Sequence, residues 1–285
     1  MTTAVSLDEL GPRGEELGAG GQGRVVRLRE RPGELVKLYC TDVDRNALVE
    51  LVEWRHRLPQ RDRRIIDAVT AWPLHVVESP DGIGVHVREA PSVFFHEVAG
   101  EQQVRDLQWA YCRSVAYVGR EPATRRAAVT LVHHWATVLD VFHRNGVVYG
   151  DLSATNVLWS DRGARPRLFV IDCDAAWLTT GRRAVAGGQT PGWDDPWPSD
   201  GSPADERRRD LYKVGLMFLR LYYRSQLPVD AATKHIALPA DPPTSRPVRQ
   251  LLHGSMRRDG ARPAANDWLG PLRMFDRVLR ARGIA

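Results

Sequence analysis

Four short stretches of this 285-residue chain carry side chains suited to handling phosphate. Residues 17–25, LGAGGQGRV, set Gly18, Gly20 and Gly23 in a G-x-G-x-x-G-x-V pattern ending at Val25, with Gly21 and Gln22 inside it. Glycines let the backbone approach phosphate oxygens closely and aim several N–H groups at them. A flexible hairpin or a dinucleotide-binding turn uses the same residues, but the dinucleotide turn needs a helix next, and RVVRL reads as a strand. Twelve residues after Val25 comes Lys37, inside the apolar run ELVKLY. A strand lysine can sit at an edge with its head in water, or it can hold phosphates while paired with a helix glutamate. Only three of the 40 basic residues are lysines, so one retained here is informative. Glu50, among apolar positions of the following helix, is the expected partner, with Glu53 as the reserve.

The other two stretches are acidic. In VVYGDLSATN, Asp151 and Asn156 lie five apart after an apolar strand, and LFVIDCD ends a second such strand at Asp172. Each alone reads as a cap or a turn residue. Jointly they suit phosphoryl transfer, with one carboxylate to take a hydroxyl proton and an amide and a carboxylate as oxygen ligands for Mg²⁺.

The elements that must position these residues follow from pattern. Arg24–Leu28 and Glu34–Tyr39 read as strands about a turn at Arg31-Pro32-Gly33, and residues 44–57 read as a helix with Leu48, Leu51 and Val52 on one stripe. Ala71–Val77 and Ile83–Glu89 read as a strand pair. After Pro91 the character shifts towards helix. Val129, Val132, Trp135, Ala136, Leu139 and Phe142 recur at helical spacing until Asn145-Gly146. Val147-Val148 and Leu168–Ile171 are short strands. A broken Gly-, Pro- and Asp-rich segment spans 181–205, Leu211–Tyr223 is an apolar helix, and two shorter helices close the chain.

Composition narrows the classes further. With 43% apolar and 26% charged residues, the chain is neither a disordered tail nor a fibre nor a disulfide scaffold. No apolar run reaches membrane-spanning length, and MTTAVSLDEL lacks the features of a signal peptide. Three scattered cysteines fit a reducing, cytoplasmic setting. The net charge of +5 rests on dispersed arginines with few aromatics between them, which argues against nucleic acid as a partner.

Taken in order, these stretches resemble the protein-kinase superfamily, and its divergent bacterial serine/threonine-type members more than the eukaryotic ones. The resemblance continues through Thr190–Trp197 (TPGWDDPW), Asp210–Gly215 (DLYKVG) and Arg262-Pro263 with Ala265 and Trp268. It implies an α+β, two-lobed kinase-like fold, with residues 11–91 as a small β-rich lobe and 92–285 as a larger helical one. It also implies ATP and Mg²⁺ as cofactors and a protein hydroxyl, Ser/Thr over Tyr, as acceptor. Asp151 would be the base, with Lys37 and Glu50 completing the catalytic set. ATP would meet Gly18, Gly20, Gly21, Gln22, Gly23, Val25 and Lys37, and the backbone of Glu89 and Pro91 in a hinge at 88–92. Asn156 and Asp172 would hold the metal, with Asp174 as an additional candidate.

Departures from the family pattern are as informative. Tyr149-Gly150 stands where His-Arg is usual, which argues against control by a loop phosphate. Ser153 replaces a lysine, Asp174 replaces the glycine of D-F-G, and Trp197 replaces a glutamate whose pairing with Arg262 Asp194 or Asp195 could assume. Two alternatives stay open: a pseudokinase that binds nucleotide or a partner without transfer, and a small-molecule phosphotransferase.

Overall fold

In a computed structural model of the chain, described over residues 3–98, 100–112, 122–163, 165–185, 190–224, 244–258 and 260–284, the fold is mixed α+β. Its N-terminal part is a β-rich sheet and its C-terminal part is helical. The elements run β1 (Ala4–Ser6), α1 (Leu7–Leu10), β2 (Arg13–Gly20), β3 (Gly23–Leu28), β4 (Glu34–Tyr39), α2 (Arg45–Arg57), α3 (Gln60–Val69), β5 (His75–Ser79) and β6 (Gly82–Arg88). There follow β7 (Phe95–Val98), β8 (Glu101–Val104), α4 (Gln108–Tyr111), α5 (Arg125–Arg144), β9 (Val147–Val148), β10 (Val157–Ser160), β11 (Arg167–Val170) and β12 (Trp177–Leu178). The last three are α6 (Pro203–Tyr223), α7 (Arg246–Ser255) and α8 (Leu269–Ala281). No helix among the described residues is long and apolar enough to cross a membrane.

Internal contacts divide the chain into two units. One comprises residues 1–92, 145–149 and 169–187, and the other 93–144, 150–168 and 188–285. The segments 145–149 and 169–187 thus group with the first unit, although the sequence reading put them with the second.

The first unit is built on a six-stranded sheet in the order β1-β5-β6-β4-β3-β2, antiparallel except where β1 joins β5. Alternation along β3 and β4 buries Val26, Leu28, Val36 and Leu38 against Leu7, Leu10 and Val77. Asp44 caps α2 by accepting the N–H groups of Asn46 and Ala47, and the helix buries Leu48, Leu51, Val52 and Trp54. The expected strand at 71–77 begins only at His75. Before it, Thr70 bridges Val170 in parallel and the Ala71 N–H donates to the Val170 carbonyl. Helix α3, unanticipated because QRDRRIIDAV is mostly charged, buries Asp62 and Ile66.

After Pro91 the chain makes a single 3₁₀ turn, Ser92–Phe94, and enters the second unit, where helix is expected. A hairpin of β7 and β8 comes first, turning through Gly100 at φ +86°. Helix α5 then buries all six positions of its expected stripe. Helix α6 begins at Pro203, eight residues before the apolar run that announced it, because Ser202 caps it on the Asp205 N–H and Pro203 suits its first turn. Phe218 and Tyr222 of α6 pack with Trp268 and with Phe275 of α8 as the aromatic part of this core.

Candidate functional site

In the first unit the glycine stretch is a hairpin. Gly20 pairs with Gly23 across Gly21-Gln22, and irregular register between Arg13 and Gly18 bends β2. A Cβ at Gly18, Gly20 or Gly21 would meet nothing within 4 Å, whereas one at Gly23 would lie 2.1 Å from the Leu38 carbonyl oxygen. Gly23 is therefore required by the close approach of β3 to β4, and the other three glycines leave the backbone bare.

Lys37 occupies the middle of β4, in register with Val25 on one side and Val85 on the other. Its ammonium donates to Asp174 Oδ2 at 2.9 Å, to Asp172 Oδ1 at 3.2 Å and to Gln22 Oε1 at 3.4 Å. Tyr39, two residues on and so on the same strand face, donates its hydroxyl to the same Asp174 oxygen at 2.6 Å. Burial alone would lower the Lys37 pKa, but Asp174 and then Asp172 outweigh it and hold the ammonium above the usual lysine value. Burial first, and then Asp174, push the Tyr39 phenol well above its ordinary range.

The two aspartates differ sharply. Asp172 takes left-handed backbone (φ 53°, ψ 43°) and starts the short 3₁₀ turn Cys173–Ala175, which swings Asp174 back towards β4. The Asp172 side chain is 44% exposed and that of Asp174 4%. Lys37 uses only one Asp172 oxygen, so the other has no protein partner among the described residues and is available as a hard ligand.

The expected pairing of Lys37 with Glu50 is replaced by these contacts. Glu50 Oε2 lies against Gly181, where an added Cβ would stand 2.3 Å from it, and Glu53 pairs with Arg57 at 2.9 Å. The carboxylate nearest in sequence pattern lost to one delivered by the turn after β11. Glu89 spends its N–H on the Gly33 carbonyl and its carboxylate on Arg27. Pro91 is exposed and has no N–H to offer.

In the second unit, Gly150 at φ +75° turns the chain into the acidic loop. Its N–H donates to Asp210 Oδ1 at 2.8 Å, and its carbonyl accepts Lys213 Nζ at 3.1 Å, both from α6. Asp210 is also bonded to His143 Nε2 at 3.0 Å. Asn156 Nδ2 donates to the Asp151 carbonyl at 2.9 Å and to its Oδ2 at 2.8 Å. Those two hydrogen bonds fix the amide plane and leave Asn156 Oδ1, which among the described residues accepts only the Thr155 hydroxyl at 3.3 Å, as a ligand oxygen. Burial pulls Lys213 below the usual lysine pKa, with Asp210, Asp194 and Asp151 opposing the fall. Arg262 pairs with Asp195 in full burial, so of the two acids expected as its partner Asp195 is the one that meets it.

Each unit therefore holds part of the expected set: Gly18–Gly23, Val25, Lys37 and Asp172 in the first, Asp151 and Asn156 in the second. No family model matches the chain, and no curated protein matches it significantly. Tyr39 and His143 were missed in the sequence. For Tyr39 a signal was present, because i and i+2 share a strand face.

Proposed function

We propose that the chain is an ATP- and Mg²⁺-dependent protein kinase of two-lobed, kinase-like fold that transfers the γ-phosphate to a protein hydroxyl. The observation carrying this reading is the contact of Lys37 with Asp172 across 135 residues of sequence. A strand lysine and the carboxylate ending a later strand meet, as the order of the motifs requires. In this reading Lys37 holds the α- and β-phosphates beside the bare glycine backbone, and the Glu89 carbonyl is the hinge group left to receive an adenine amino group. Asp151, oriented by Asn156, takes the proton of the attacking hydroxyl. That oxygen then bonds to the γ-phosphorus as the bond to the departing ADP breaks. Asn156 Oδ1 and the free oxygen of Asp172 are hard donors of the kind Mg²⁺ takes. When bound, the ion would neutralise charge on the phosphates. Ser153 is buried with its hydroxyl on Thr155, so it offers the acceptor no cation.

Purified protein given labelled ATP, Mg²⁺ and generic protein substrates should label them. Asp172→Ala should abolish labelling and reduce Mg-ATP stabilisation in a thermal shift. Equal stabilisation of both proteins would count against Asp172 as a ligand. A second reading, nucleotide binding without transfer, draws on Asp174, which occupies the ammonium that the phosphates would use.

A further inference from the structure

We propose that Asp174, itself held by the Tyr39 hydroxyl, is the residue that positions the Lys37 ammonium for the phosphates of ATP, in the role expected of Glu50. The assignment rests on the kinase reading above and deepens it.

Three observations carry it. A single oxygen, Asp174 Oδ2, receives both Lys37 Nζ and Tyr39 Oη, at 2.9 and 2.6 Å. The hydroxyl therefore fixes where the ammonium must sit, and Lys37 and Tyr39 descend from one face of one strand. The Asp174 side chain is almost fully buried and that of Asp172 is nearly half exposed, so the first is an anchor and the second keeps a free oxygen. A buried carboxylate without a counter-ion is costly, which ties Asp174 to Lys37 whether or not nucleotide is present. Finally, neither helix glutamate reaches Lys37, since Glu50 Oε2 lies beside Gly181 and Glu53 pairs with Arg57. An ammonium has three donors. The 3.4 Å contact to Gln22 is the longest of its three and is the one a phosphate oxygen would displace, with Asp174 retained.

The test is a double-mutant cycle on the ratio of ATP to adenosine affinity, measured by titration calorimetry with and without Mg²⁺. Asp174→Asn, Tyr39→Phe and Glu50→Gln are each made alone and together with Lys37→Met. Asp174→Asn should cut the preference for ATP over adenosine about tenfold or more, and Tyr39→Phe by about threefold. Both losses should vanish in the Lys37→Met background, because they act through that ammonium. Adenosine affinity should be unchanged, whereas damage to the fold would lower both affinities. Glu50→Gln should leave the ratio within about twofold. If Asp174→Asn does not fold, Tyr39→Phe carries the same cycle. A loss on Glu50→Gln with none on Asp174→Asn overturns the proposal. So does an Asp174→Asn loss that persists in full beside Lys37→Met, which would make Asp174 a direct ligand. A wild type that does not prefer ATP to adenosine overturns the kinase reading itself and this role with it, a result distinct from an additive cycle in a protein that does.

Discussion

Among the described residues, Arg262 and Asp195 are the most deeply enclosed opposite charges of the second unit, with side chains 0% and 1% exposed. The guanidinium also donates to the Arg208 and Arg257 carbonyls, at 2.9 and 3.1 Å. Deleting one member of such a pair leaves a buried charge uncompensated, at a cost of about 3–5 kcal/mol. Asp195→Ala should therefore lower the urea midpoint strongly, while Asp194→Ala, at a partly exposed site, should change it little. An equal effect of the two would contradict the assignment. The sequence narrowed this partner to two adjacent acids, and only the folded loop chooses between them. Lys37 teaches the same lesson more severely. The scarcity of lysine singled it out, but its partner was not legible. Helical spacing pointed to Glu50, and the deciding carboxylate arrives by a left-handed backbone step at Asp172 that no periodicity encodes.

At the scale of elements, the β2–β3 hairpin separates glycines that packing demands from glycines that it does not. Gly23→Ala forces a methyl group into the Leu38 carbonyl, so overpacking should destabilise the protein by about 1–3 kcal/mol. Gly20→Ala meets open space, so its melting temperature should stay at the wild-type value while any effect appears in nucleotide binding. Melting curves of the two variants check this, and a stable Gly23→Ala would contradict the register. Long, strongly periodic elements were legible, as with the α5 stripe, because burial of one helix face dictates residue type at every turn. Helix α3 and the β7–β8 hairpin were not. They are short, and α3 carries charges around few apolar residues, so their form depends on what they pack against.

For the whole molecule, half-buried histidines contribute to the response to acid. In α5, burial first, and then the neighbouring charges of His133 and Arg165, lower the His134 pKa from 6.5 to about 4. Between those values the unfolded chain binds the extra proton, so the contribution of neutral His134 to stability is full above pH 6.5 and lost by about pH 4. The apparent melting temperature should fall across that window, and His134→Gln should flatten the fall by about 5 °C. A parallel pH profile for the variant would contradict this. Whether the two units together act as a kinase is tested most directly by phosphate transfer from labelled ATP with Mg²⁺. The comparison is phosphatase-treated wild type against Asp151→Asn, which keeps the shape of the acidic loop and removes its charge. In the kinase reading proposed above, Gly150 takes the place of a phosphate-sensing arginine, so the wild type should transfer without prior phosphorylation. Asp151→Asn should bind ATP as well as the wild type and transfer about 10²–10⁴-fold more slowly. Equal transfer by the two proteins, or none by either while both bind ATP, would contradict the account.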